Sequence, residues 1–290
     1  MNKPFFKGAC TALVTPFLGG EVNYPMLLRL IQRQMDAGIR AIVISGTTGE
    51  SPTLSDSEKL ELFRRAKEFT GDRCKIIAGT GSNCTEHAIS LSQAAEHWGV
   101  DGLLLVSPYY NKASEEGLYA HYRLIADSVH IPCILYNVPS RTGVDIPVSV
   151  YRRLSEIPNI AGVKEASTDI TKILRIRQAC PSFSIWSGND DQAVAVTALG
   201  GQGVISVVSN VEPELTRTMM DAALDGDFDT ASSLQIRLYP LIRAMFSEVN
   251  PIPVKTAMEL IGYDCGSCRL PLTPMDPEKR AVLETLLALR

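Results

Sequence analysis

Gly203-Val204-Ile205-Ser206-Val207 is an apolar run that reads as a short β-strand buried on both faces, since such strands are continuously apolar rather than alternating. It is the eighth run of this kind, after those at residues 9–14, 41–45, 75–79, 102–107, 133–137, 161–164 and 184–187. Between the runs, residues 24–37, 56–70, 85–98, 116–128 and 171–179 carry apolar side chains three and four apart, the spacing of one helix face. Ser55 stands three residues before Glu58 at a capping-box spacing, and Gly38, Gly71 and Gly99 fall where helices would stop. Strand–helix units in unbroken succession predict a closed (β/α)8 TIM barrel, with a doubly wound open sheet as the alternative. The run at 203–207 decides for the barrel, because eight short strands close at a diameter that side chains can fill.

Past Ser209 the pattern is helical at 212–224, 230–246, 254–261 and 277–289, with no further convincing strand. Residues 1–210 are therefore expected to form the barrel with its catalytic site, and 211–290 the last barrel helix and a C-terminal helical extension. No linker, low-complexity tract or charge block separates the two, so they should share one structural unit. A length of 290 residues with 45% hydrophobic content suits that arrangement better than two equal domains. A net charge of −4 leaves no basic footprint for nucleic acid. No uncharged apolar run approaches the roughly 18 residues that a membrane span needs, and the expected setting is the cytoplasm. The seven cysteines are an odd number spread through a long chain, which suggests reduced thiols. Cys265 and Cys268 form a C-x-x-C without a second pair or a nearby histidine, so neither a metal nor a redox centre is expected there.

Barrel enzymes place their active sites at the C-terminal ends of the strands. After the second run comes Gly46-Thr47-Thr48-Gly49-Glu50-Ser51, where a sharp turn could aim free N–H groups and two hydroxyls at a carboxylate; an ordinary Gly-rich loop is the other reading. The fourth run ends in Ser107-Pro108-Tyr109-Tyr110-Asn111, with two phenols available either for packing or for a proton chain. The fifth leads into Tyr136-Asn137-Val138-Pro139-Ser140-Arg141-Thr142-Gly143, whose arginine offers a planar fork to a carboxylate or a surface pairing with Asp145. The sixth ends in Gly162-Val163-Lys164-Glu165-Ala166-Ser167, and Lys164 is the anomaly, because lysine is seldom set within an apolar strand without a partner. An amine desolvated at the barrel mouth could attack a keto group as Schiff-base lysines do, or could pair with an inward-facing acid. Glu165, next along the strand, should face the opposite side and serve structure.

Together with Ser187-Gly188-Asn189-Asp190, Gly203-Val204-Ile205-Ser206-Val207 and Asn250-Pro251-Ile252-Pro253-Val254-Lys255, these motifs cover nearly the whole chain and resemble the dihydrodipicolinate synthases. The wider superfamily of class I aldolase-like pyruvate lyases shares the second-strand loop, the strand-five tyrosine and the strand-six lysine; the Ser-Arg-Thr-Gly segment is more specific. The resemblance implies condensation of pyruvate with L-aspartate 4-semialdehyde, the entry to diaminopimelate and lysine, without a cofactor or metal. It implies that Lys164 forms the imine and that Thr47 and Thr48 hold the pyruvate carboxylate. Tyr136 would be the general acid and base, in a relay with Thr47 and with Tyr110 reaching in from a neighbouring subunit of a homotetramer built as a dimer of dimers. Arg141 would hold the semialdehyde carboxylate, and Gly188 and Ile205 would line the pyruvate pocket. An N-acetylneuraminate lyase or keto-deoxy-sugar-acid aldolase would keep Lys164 and Tyr136 but generally lacks the arginine. A catalytically idle pyruvate-binding protein on the same barrel is the reading from another class.

In feedback-inhibited relatives, a lysine effector site aligns with Ser51, Pro52, Asp56, Lys59, Asn83, His87 and Tyr109 of this chain. Sensitive bacterial enzymes carry histidines where this sequence has Asp56 and Lys59, and an acid where it has His87. Cationic Lys59, joined by His87 when protonated, would oppose a cationic effector, so weak or absent lysine inhibition is expected.

Overall fold

A computed structural model gives the fold and describes residues 4–289. Eight parallel strands close into a barrel: β1 (Gly8–Ala12), β2 (Ala41–Ile44), β3 (Lys75–Gly79), β4 (Gly102–Val106), β5 (Cys133–Asn137), β6 (Ile160–Glu165), β7 (Ser184–Ser187) and β8 (Gly203–Ser206). The seam is made by β1, whose Cys10 pairs with Ile205 of β8 and whose Ala12 pairs with Val43 of β2. The run at 203–207 thus takes the place that closes the sheet.

Helices α1 (Tyr24–Asp36), α2 (Asp56–Thr70), α3 (Thr85–His97) and α4 (Glu115–Asp127) follow the first four barrel strands. Both halves of the Ser55–Glu58 capping box are present at the start of α2. Gly71 is the C-cap of α2, while Gly38 and Gly99 lie one residue beyond the C-caps of α1 and α3 at φ of 81° and 76°. Sequence periodicity did not reveal α5 (Pro139–Thr142), α6 (Val148–Leu154) or α8 (Ala193–Ala198), which flank α7 (Ile170–Ala179). These are too short to repeat an amphipathic pattern. The C-terminal part consists of α9 (Pro213–Asp225), α10 (Phe228–Met245), α11 (Ile252–Leu260) and α12 (Pro277–Ala288). Of these, α9 packs on β1 and α10, while α11 lies against α12 and the turn at Val208–Asn210 that follows β8.

The alternation of side chains along each strand creates two apolar compartments. Phe6, Cys10, Val43, Ile77, Ile134, Trp186 and Ile205 fill the barrel interior, and a larger set lies between strands and helices. Phe6 stacks on Trp186 with ring centroids 4.7 Å apart, which plugs the interior with aromatic surface. The register between β5 and β6 shifts after Cys133, so that Ile134 pairs with Gly162 and Tyr136 with Lys164. A one-residue change of register moves every later side chain to the other face, so this irregularity determines which charged residue of β6 enters the barrel.

Candidate active site

Lys164 and Tyr136 project inward from paired positions on β6 and β5, and both are buried, at 5% and 6% exposure. The Lys164 Nζ lies 4.4 Å from the centroid of the Tyr136 ring. Among the described residues no carboxylate comes within ion-pair distance of it. The alternative of a salt bridge to an inward-facing acid is therefore not what the fold contains. Gly188, just past β7, lies so close that a Cβ there would sit 2.6 Å from the Ala166 Cβ and 3.1 Å from the Lys164 Cε. Its bare backbone lets the lysine stem run past. Ile205 is fully buried in the same interior cluster.

Glu165 faces the helices, as strand alternation requires. Its carboxylate accepts hydrogen bonds from Asn137 Nδ2 at 2.7 Å, the Tyr151 hydroxyl at 3.0 Å and the Ser167 amide at 2.9 Å, with Lys172 Nζ 3.6 Å away. Asp145 accepts from Asn137 and pairs with Lys172, so it is not the partner of Arg141. Burial and the Glu165 charge push the Tyr151 phenol well above its ordinary range.

The loop after β2 turns tightly, with Ser45 and Glu50 both at φ 56°. The Gly49, Glu50 and Ser51 amides donate to loop carbonyls, whereas those of Thr47 and Thr48 have no acceptor among the described residues. Residues from the C-terminal part hold this loop. Asn250 Nδ2 donates to Thr48 Oγ1 at 3.0 Å, and Lys255 Nζ meets Glu50 Oε1 at 2.9 Å in a pair with side-chain exposures of 3% and 1%. The second Glu50 oxygen accepts from the Arg269 amide at 2.8 Å. Asn250, Lys255 and Glu50 lay within motifs of the sequence but carried no assigned role. A lysine within the apolar run of α11 was the signal that could have drawn attention to the pair.

A cavity of about 580 Å3 opens over this arrangement and is lined by Thr47, Tyr136 and Arg141. The same cavity is lined by Ser51, Pro52, Asp56, Lys59, His87 and Tyr109, so most of the residues aligned with an effector site share one space with Thr47, Tyr136 and Arg141, while Lys164, Thr48, Gly188 and Ile205 do not line it. Arg141 is exposed and donates from Nη2 to the Asn250 carbonyl oxygen at 3.2 Å. Asp56 is shared by His87 Nε2 at 2.8 Å and by Lys59 Nζ at 3.8 Å. Burial pushes the Lys59 ammonium down, with Asp56 opposing the shift. Asn83 does not line the cavity and donates to the carbonyl of Tyr109, which does. Tyr110, in contrast, is 92% exposed at φ 71° while Lys164 is buried, so one chain does not bring the phenol to the amine.

Behind the site, Asp190 accepts from the Val207 and Val208 amides at 2.9 and 3.0 Å, and burial pushes its carboxyl up. Burial likewise pushes the Cys265 and Cys268 thiols up to about 12, which leaves them as poor nucleophiles near neutral pH. Among the described residues no group of three histidine, cysteine or acidic side chains is arranged to hold a metal ion. No helix among them is long and apolar enough to cross a membrane.

A (β/α)8 barrel with an enclosed lysine at its mouth, a phenol against it and hydroxyls on the loop after β2 defines a lyase barrel of the aldolase type. The Dihydrodipicolinate synthetase family model matches residues 5–289, and the chain belongs to that family. It is 47% identical over 283 residues to a 4-hydroxy-tetrahydrodipicolinate synthase from Kosmotoga olearia, covering 96% of both chains. The crystal structure of the dihydrodipicolinate synthase from Aquifex aeolicus superposes with a TM-score of 0.96 at 44% identity, over 98% of both chains. The chloride-inhibited dihydrodipicolinate synthase from Acinetobacter baumannii, complexed with pyruvate, matches at 40% identity with a TM-score of 0.96 over 98% of both chains.

Proposed function

We propose that this chain is a 4-hydroxy-tetrahydrodipicolinate synthase that carries pyruvate as a Schiff base on Lys164 and condenses it with L-aspartate 4-semialdehyde. The observation that carries the reading is the buried Lys164 amine, lying against Tyr136 with no carboxylate partner among the described residues. Lys164 attacks the keto carbon of pyruvate, and loss of water gives the imine. The imine withdraws electrons from the adjacent methyl group, a proton leaves, and the enamine adds to the aldehyde carbon. Attack by the semialdehyde's own amine on the imine carbon then closes the ring and frees Lys164.

These steps move protons at several atoms, which suits a chain of hydroxyls better than a single base. Tyr136 is placed against the amine for that work, and Thr47 continues the chain along the cavity wall. The unpaired amides of Thr47 and Thr48 suit a carboxylate, which gains charge-assisted hydrogen bonds from preorganised donors. Arg141, exposed at the cavity and free of an acidic partner among the described residues, is the anchor for the carboxylate of the semialdehyde. Gly188 and Ile205 shape the wall around the lysine. The outward Tyr110 serves in trans within a cytoplasmic homotetramer, which supplies the phenol that a single chain does not bring to its own site. The cluster of Lys59, His87 and Asp56 gives little purchase to a lysine ammonium, because the carboxylate is already shared by two basic groups.

Mass spectrometry after incubation with pyruvate and borohydride tests the reading, followed by turnover of the semialdehyde by untreated protein. A reduced pyruvate adduct on wild type and none on Lys164→Ala, with turnover, is the expected result. An adduct without turnover would redirect the assignment to a sugar-acid aldolase. No adduct at all would overturn it.

A further inference from the structure

The two carboxylate anchors of the site are both touched by one residue that comes from outside the barrel. Asn250 stands two residues before α11 at 6% exposure. Its side-chain amide donates to Thr48 Oγ1 at 3.0 Å, and its main-chain carbonyl accepts from Arg141 Nη2 at 3.2 Å. Five residues on, Lys255 meets Glu50 in the same loop that carries Thr48, so α11 is tied to the loop at two points.

The direction of the first hydrogen bond matters. A hydroxyl has one proton to donate and lone pairs to accept with. Because the Asn250 amide occupies a lone pair of Thr48, the threonine proton stays free, and among the described residues it has no acceptor. A donor behind a hydroxyl thus leaves the hydroxyl's own proton for an anion to accept. We propose that Asn250 is a positioning residue for the carboxylate of pyruvate: it fixes the polarity of Thr48 through its side chain while its main chain steadies Arg141. The residue therefore separates the two substrates by atom, with the amide serving pyruvate and the carbonyl serving the acceptor aldehyde.

The inference rests on the proposed synthase reading and makes a prediction that a structural role alone does not. Asn250→Asp puts an acceptor where the donor was, so the Thr48 proton turns backward and a negative charge stands behind the pyruvate carboxylate. The KM for pyruvate should rise by about tenfold or more, as expected when a hydrogen bond to a charged group is lost. The KM for the semialdehyde and kcat should each stay within about threefold, since the main-chain carbonyl that Arg141 uses is unchanged. Asn250→Ala, which removes the donor without reversing it, should give a smaller rise in the same parameter and carries the test if the aspartate variant does not fold. In a Thr48→Val background, Asn250→Ala, which brings no charge, should add little further, because the hydroxyl it acts through is gone.

The pyruvate concentration that half-saturates borohydride trapping is measured alongside, with wild type as reference. Failure of wild type to trap pyruvate would remove the synthase reading itself. Normal trapping in wild type with an unchanged pyruvate dependence in Asn250→Asp would overturn this proposal alone. So would equal rises in both KM values, or an undiminished effect of Asn250→Ala in the Thr48→Val background.

Discussion

Lys164 and Glu165 are neighbours on β6, both charged in water and both buried, at 5% and 3% exposure, yet the two faces of the strand treat them in opposite ways. Toward the helices, Glu165 is met by Asn137, Tyr151, Ser167 and Lys172, so its charge is matched and held. Toward the interior, Lys164 has a tyrosine ring and a glycine backbone and, among the described residues, no acid within ion-pair distance. A buried charge with its partners in place is a structural element, whereas a buried amine not paired to an acid is left available for chemistry. The difference lies in what surrounds each residue and not in the depth of burial.

The largest effect should come from the interior face. Lys164→Ala should lower turnover by on the order of 10^4-fold or more, while the melting temperature does not fall, because no ion pair is broken. A variant that melts far below wild type would show that the lysine was structural after all. On the outer face, Glu165→Ala should cost about 1–3 kcal/mol of stability, read by denaturant unfolding, since it removes the acceptor of the buried Tyr151 hydroxyl while Lys172 keeps Asp145. Unchanged stability with a selective loss of kcat would invert the comparison.

A third group shows what partial matching does. His121, on α4, has Nδ1 within 2.9 Å of the Thr85 hydroxyl but a buried Nε2 without a partner, and burial pushes its imidazole down from 6.5 to about 4. Between these values the unfolded chain binds a proton that the folded one refuses. Its contribution to stability is therefore fully present above about pH 6.5 and lost progressively as pH falls toward 4, by up to about 1.4 kcal/mol per unit. Unfolding of wild type and His121→Gln across this window checks it, and equal slopes would assign the acid sensitivity elsewhere. The smallest effect is expected where charges are already shared. L-lysine at millimolar concentration should change the steady-state rate by less than about twofold, because Asp56 is occupied by His87 and Lys59. Full inhibition at micromolar lysine would sink that expectation.

Much of the site was legible before folding because its signals are local. A lysine in an apolar strand, a Gly-Thr-Thr-Gly turn and an arginine shortly after a strand tip each announce themselves within a few residues, and strand alternation separated Lys164 from Glu165. The boundaries shifted by a residue or two, as at β1, which spans Gly8–Ala12 where the apolar run covers 9–14. There the chain leaves the sheet while it is still apolar, and the Val14 amide is taken by the Asn210 side chain instead.

Composition and periodicity were enough for the eight strands, the barrel and the lysine at its mouth, because apolar runs and helix faces are set by residues adjacent in the chain. The pairing of Tyr136 with Lys164, the room that Gly188 leaves for the lysine stem, and the grip of the C-terminal segment on the catalytic loop were decided only by tertiary structure. Asn250 and Thr48 are 202 positions apart, and Lys255 and Glu50 are 205. No pattern along the chain reports which of many distant polar groups will meet, since that depends on how helices outside the barrel pack back across its mouth.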